Sequence, residues 1–174
     1  MIKNEKMKKL IENADITDVD EKISVSIKEM QEAFNVSIEK LYDCLILSNE
    51  KTNITEEQFL RVVSSYGSLA GYEFANTECR MIDFFDSPLD VIEQYKIGLL
   101  YVQCLNNRLL TLTNYKIAYL FSYNDDILTI RFHQKREDGE VFFDTDINKF
   151  TEPVGILMSD ELSLNIIENS NNTK

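Results

Sequence analysis

The chain has 174 residues, 44% of them apolar, enough for one domain whose core needs no disulfide or metal. It carries 18 Lys+Arg against 30 Asp+Glu, a formal net charge of −12, with one histidine and no tryptophan. That charge disfavours nucleic-acid phosphates and anionic lipid as partners. A single imidazole excludes a multi-histidine metal site within one chain.

Met1 to Asn13 holds Lys3, Lys6, Lys8 and Lys9 but lacks the apolar run of a signal peptide. No stretch approaches the roughly 18 apolar residues of a membrane span. Cys44, Cys79 and Cys104 are odd in number and widely spaced, so buried free thiols and a cytoplasmic location are expected. The spacing of Ile27, Met30 and Phe34, then Ile38, Leu41 and Leu45, predicts amphipathic helix, broken at Asn35 to Ser37 with Ser37 as a cap. Thr55-Glu56-Glu57-Gln58 has capping-box form and opens a helix with Phe59, Val62, Val63 and Tyr66 on its face, ended by Gly67. A further helix is expected over Ser68 to Phe85, with Leu69, Tyr72, Cys79, Ile82 and Phe85 inward. Ser87-Pro88-Leu89-Asp90 reads as the start of the last long helix, with Leu89, Ile92, Tyr95, Leu99, Val102 and Leu105 as its stripe to about Asn106.

Past Leu112 the pattern alternates. Lys116 to Tyr123 and Ile127 to His133 form a hairpin, with Ile117, Tyr119 and Phe121 paired to Phe132, Ile130 and Leu128 on one apolar face. The other face, with Leu120, Ser122, Thr129, Arg131 and His133, reads as partly wet. A second hairpin is expected to turn at Asp138-Gly139 and return through Val141 to Phe143. Val154 to Met158 is a third or fourth strand, then comes a short helix near Leu162 to Ile167 and a frayed tail over 169–174. The expected fold is a single α+β domain, 1–174: a helical N-terminal layer to about residue 108, packed on a small antiparallel sheet of three or four strands over about 116–158.

Candidate chemistry is sparse. Asp144, Asp146, Asn148 and Glu152 imitate part of a calcium loop, but Lys149 stands where the sharp turn needs Gly, and Gly155 where the bidentate Glu belongs. His133 with Thr129 and Arg131 is the one constellation that could serve a hydrolase, and an ordinary sheet-face trio paired to a nearby acid such as Asp144 is the plainer account. Gly67-Ser68-Leu69-Ala70-Gly71 has neither nucleophile-elbow nor phosphate-loop spacing. Ile27 to Leu45 superficially resembles a helix-turn-helix, but Glu39, Lys40 and Asp43 give its second helix no net positive charge. No catalytic residue, cofactor or metal is expected.

Acids gather at Asp15, Asp18, Asp20 and Glu21; at Asp83, Asp86, Asp90 and Glu93; and at Glu137, Asp138, Glu140, Asp144 and Asp146. The stretch Leu128 to Leu157, with Ile130-Arg131-Phe132-His133, Arg136, Gly139-Glu140 and the acid-rich turn before Glu152, resembles the C-terminal sheet of small bacterial toxin-immunity proteins. The resemblance implies a protein that neutralises a toxin domain such as a nuclease in the cytoplasm by covering its active site. The −12 charge and the lack of a catalytic set add the expectation of a non-enzymatic protein with a basic partner, itself a monomer or weak dimer. The expected partner-binding residues are Glu137, Asp138, Glu140, Phe142, Asp144 and Asp146, with Phe142 as apolar anchor. The alternatives are an inhibitor that mimics nucleic acid and a hydrolase using His133.

Overall fold

The structure, a computed structural model, describes residues 1–13, 26–48, 50–137 and 146–162. In chain order its elements are strand β1 (Ile2–Lys3), helices α1 (Glu5–Asn13) and α2 (Ile27–Phe34), strands β2 (Ile38–Leu41) and β3 (Cys44–Leu47), and helices α3 (Glu56–Ser65) and α4 (Leu69–Ala75). Strand β4 (Cys79–Arg80) and a 3-10 turn over Met81–Phe84 lead to the long helix α5 (Val91–Leu109). Strands β5 (Lys116–Asn124) and β6 (Ile127–Lys135), a 3-10 turn over Ile147–Lys149, strand β7 (Val154–Met158) and helix α6 (Ser159–Leu162) complete it.

Among the described residues the fold is α+β, with a five-stranded antiparallel sheet ordered β1-β7-β5-β6-β4 and a separate β2–β3 hairpin. The N-terminal half is therefore not wholly helical, since it supplies both edge strands of the sheet and the hairpin. Ile38, Leu41 and Leu45, expected on a helix, lie on that hairpin, which turns at Tyr42-Asp43 with Tyr42 at φ 52°. β3 reads as an unbroken apolar run because it is buried on both faces. Leu45 packs into the main core, while Cys44 and Ile46 pack into a second one.

The main core lies between the sheet and α5 and includes Ile97, Tyr101, Leu105, Tyr119, Phe121, Ile130 and Phe132. Gly98 permits the close approach, because a Cβ there would lie 2.9 Å from Leu128 Cδ2 and 3.0 Å from Ile130 Cδ1. The cap of α5 is Asp90, whose carboxylate accepts the Ile92 and Glu93 N–H groups at 2.8 Å each, with Glu93 closing the capping box. Ser87-Pro88 thus precedes the helix instead of opening it. Thr55 and Gln58 form the expected box on α3, and Gly67, at φ 80°, follows its end. The helix expected over Ser68 to Phe85 stops at Ala75, giving way to β4 and the 3-10 turn.

The apolar face of the β5–β6 hairpin is as expected, but its register differs by two residues: Tyr119 faces Phe132, Phe121 faces Ile130 and Tyr123 faces Leu128. The turn is Asp125-Asp126, at φ 50° and 62°, both left-handed as a tight two-residue connection requires. The opposite face is partly wet, as expected, at the half-buried Ser122, Thr129 and Arg131, but Leu120 and His133 on it are buried. Ala118, Leu120, Ile147 and Val154 form a third core there, with Phe74, Phe150, Ile156 and Met158 packed against it.

A second property of β6 positions the candidate site. Asn124 and Ile127 close the turn, so the even-numbered N–H groups of β6 point away from β5. Each meets a partner. Leu128 N–H donates to Gln94 Oε1 on α5 at 2.8 Å, and Ile130 lies opposite Cys79 of β4. Phe132 N–H donates to Thr77 Oγ1 at 2.9 Å, and the Thr77 hydroxyl donates back to Phe132 O at 2.7 Å. Gln134 N–H donates to Glu73 Oε2 on α4 at 2.8 Å. Three side chains, from α4, the segment after it and α5, complete an edge that only two residues of strand cover.

Candidate functional site

Two features of the surface and interior concentrate polar groups. The first is a cleft of about 310 Å³ between the C-terminal end of α2, the start and end of the β2–β3 hairpin, and β4 with the 3-10 turn after it. Val36, Leu47 and Phe84 give it an apolar floor, and Glu32, Glu78 and Asp83 stand around it. It continues along α2 past Glu29 and Asp86. Its cations are already engaged: Arg80 lies 3.8 Å from Asp83 and Lys28 3.7 Å from Glu32, while Glu78 pairs with Arg131 from β6.

Local sequence builds this wall. Ser26 caps α2, and Glu29 returns to the Ser26 N–H at 2.8 Å while also accepting the Asp86 N–H at 3.0 Å. Hydrogen bonds from Ser26 and from the Asp86 backbone hold the Glu29 carboxyl below its usual range, so it stays charged at the mouth of the cleft. Of the acidic positions read from the sequence, Asp83 and Asp86 belong to this cleft. Asp90 and Glu93 are spent on capping α5.

The second feature is buried. Glu73, fully enclosed on α4, accepts the Leu45 N–H of β3 at 2.9 Å and the Gln134 N–H of β6 at 2.8 Å. It also accepts Gln134 Nε2 at 2.5 Å and both terminal nitrogens of Arg136 at 3.1 Å each. Gln134 Nε2 and Arg136 Nη2 donate further to Asp43 O at 2.7 and 2.6 Å. Burial opposes the Arg136 charge, but the Glu73 carboxylate outweighs it and leaves the guanidinium above its ordinary value. Cys44 Sγ lies 3.8 Å from Arg136, yet burial pushes its thiol up to about 12, so it is no nucleophile at neutral pH.

The positions expected to bind a partner divide. Glu137 is exposed just past the end of β6, and Asp146 is exposed where its side chain accepts the Asn148 N–H at 3.2 Å. Asp138, Glu140, Phe142 and Asp144 lie outside the described residues, as do the Asp138-Gly139 hairpin and the Asp15 to Glu21 acids. His133 is fully buried, with Nδ1 3.0 Å from Gln134 O, which places its proton on Nδ1 because a carbonyl only accepts. Arg131 lies over the Phe74 ring at 5.1 Å and pairs with Glu78. Thr129 and Arg131 are half-buried on the same face of β6, while His133 is enclosed. Cys44 and Cys79 are buried free thiols, whereas Cys104 is exposed.

Sequence reasoning missed Glu73, Thr77 and Gln94. Glu73 left a signal: it is the single charge between Arg61 and Glu78. Among the described residues, no group of His, Cys, Asp and Glu could hold a metal ion, and no helix is long and apolar enough to cross a membrane. Neither a curated protein nor a solved structure matches the chain. The model of the Uncharacterized protein PM0498 family matches residues 2–172, and the chain belongs to that family.

Proposed function

We propose that this protein is a non-enzymatic acidic binding protein that occupies a basic protein partner, in the manner of an immunity protein blocking a cognate bacterial toxin in the cytoplasm. The observation that carries this reading is the cleft beside α2, lined by the apolar Val36, Leu47 and Phe84 and by Glu32, Glu78 and Asp83, whose partners within the chain, Lys28, Arg131 and Arg80, a basic side chain would have to share or displace. A protruding lysine or arginine would lay its aliphatic stem on that floor and its charge among the carboxylates. The acids gather at one cleft, Glu32 from α2 and Glu78 and Asp83 from around β4, which favours a basic side chain over imitation of a phosphate ladder. Enclosure of His133 argues against the hydrolase alternative. The exposed Glu137 and Asp146, with Asp138, Glu140, Phe142 and Asp144 between them in sequence, offer a second acidic contact in the same scheme.

The test is co-expression with the basic product of a neighbouring gene, followed by binding kinetics on the purified pair. Protection of the cells, with a complex whose association slows as salt rises, supports the proposal. Glu32→Gln with Asp83→Asn should slow association by about tenfold. The same loss from Glu137→Gln with Asp146→Asn alone would move the contact to the second surface. A chain that neither protects nor binds any basic neighbour ends the proposal.

A further inference from the structure

The second core is small and nearly separate. Phe59 and Val63 of α3 and Tyr72 of α4 close over Leu41, Cys44 and Ile46 on the outer face of the hairpin. Outside that contact α3 is loosely held: Leu60 is 56% exposed, and Val62 and Tyr66 are 40% and 41% exposed. Two kinds of contact tie the two helices to the sheet: Phe74 of α4 packs against the third core, and the remaining ties are polar. Glu73 reaches both β3 and β6, and Thr77, just after α4, saturates Phe132. Remove these helices and the outer edge of β6 at Phe132 and Gln134 loses its hydrogen-bond partners while β5, β7 and α5 keep theirs.

We propose that α3 and α4 form a cover that opens as a unit from the hairpin and the β6 edge, and that the Glu73 carboxylate is its latch. Regions with few buried apolar contacts open at lower free energy than the global transition. A carboxylate shared by two backbone N–H groups, an amide and a guanidinium is a single point on which closure depends. Opening therefore controls access to a strand edge that is otherwise complete, and it does so without disturbing the main core. The device is independent of which partner the protein binds.

The cysteines read this out in the unmodified protein. Cys104 is exposed, Cys44 lies under the cover, and Cys79 lies in the main core. Under native conditions an aromatic disulfide reagent should modify Cys104 at once, Cys44 slowly and Cys79 only at the rate of global unfolding. Glu73→Gln turns one acceptor oxygen into a donor facing other donors, and should raise the Cys44 rate by about tenfold or more with Cys79 unchanged. Hydrogen exchange should rise over α3, α4 and the amides of Leu45 and Gln134. If Cys44 and Cys79 react together in the unmodified protein, or Glu73→Gln accelerates both equally or neither, there is no separate cover and the proposal falls. Should Glu73→Gln fail to fold, the ranking of the two thiols in the unmodified chain still decides.

Discussion

The sheet with α5 and the hairpin with its cover bury their surfaces by different means. Against α5 the sheet is held by apolar side chains in direct contact, with Gly98 bringing helix and strands together. Against the cover, a small apolar core on the hairpin and Phe74 on the sheet are joined by hydrogen bonds that Glu73 and Thr77 make to main-chain groups of β3 and β6. Apolar contact is non-directional and tolerates repacking. A hydrogen-bonded clamp fails when one atom changes, because the partner is left buried and unpaired. The two regions should therefore respond differently to the same kind of change.

The largest effect is expected from truncating an aromatic ring in each. Phe132, 1% exposed, lies 6.1 Å from Tyr119 in the main core, and Phe132→Ala should lower global stability by about 3–5 kcal/mol. Phe59, 2% exposed and stacked at 4.9 Å on Tyr42, is its counterpart under the cover. Phe59→Ala should open the cover, raising Cys44 reactivity well before the urea midpoint, with Cys79 still protected. If both variants shift the urea midpoint alike and expose both thiols together, the two regions are one cooperative unit.

Thr77→Val comes next. It keeps shape but strands the N–H and C=O of Phe132, at a cost of about 1–3 kcal/mol per unsatisfied group. Denaturant unfolding measures the loss. Concentration-dependent mass by light scattering should reveal self-association through the unguarded β6 edge.

Alkaline pH separates the regions more gently. Burial raises the Cys44 and Cys79 thiols from 9.0 to about 12. For groups raised in the folded state, stability is fully present below pH 9 and is lost as pH climbs towards 12, since the unfolded chain gives up its protons first. Buried Tyr101 and Tyr119, also raised by burial, act in the same direction at higher pH. Cys44→Ala should reduce the pH slope of stability by about one proton over that window. An unchanged slope would mean that Cys44 is already open to solvent.

These differences also explain how far the sequence could be read. Alternation in Lys116 to Tyr123 and Ile127 to His133 gave the buried face correctly, because a shift of two residues leaves every side chain on its own face. The same invariance hid the register, which only the left-handed Asp125-Asp126 turn decides. Ile38, Leu41 and Leu45 match helical spacing, yet an apolar run buried on both faces, as Cys44 to Leu47 is, carries no period to distinguish strand from helix. The candidate cleft was half legible, in Asp83 and Asp86, since exposed acids are visible as charge. Glu32, Val36 and Leu47 join it only through tertiary contact. Gln94 and Thr77 were not legible as clamps, because a polar residue on an inward face looks the same in sequence as one facing solvent. Glu73 stood out as a lone charge, but its partners on β3 and β6 are set only by tertiary contact.

The smallest effect tests the cover from outside. Arg61 on α3 lies 2.5 Å from Glu57 one turn earlier, and both side chains are about three-quarters exposed, at 75% and 76%. An exposed pair of this spacing contributes about 0.3–0.5 kcal/mol, and salt screens it. Arg61→Ala should therefore change neither the urea midpoint nor Cys79 labelling measurably, and should raise Cys44 labelling by no more than about twofold at low salt. That bound depends on the cover being held by its inner face, through Phe59, Val63, Tyr72 and Glu73, with the outer face of α3 contributing only helix stability. A tenfold rise in Cys44 labelling from Arg61→Ala would show that closure depends on the intrinsic helicity of α3 more than on the Glu73 clamp. The position of the latch would then have to move from α4 to α3.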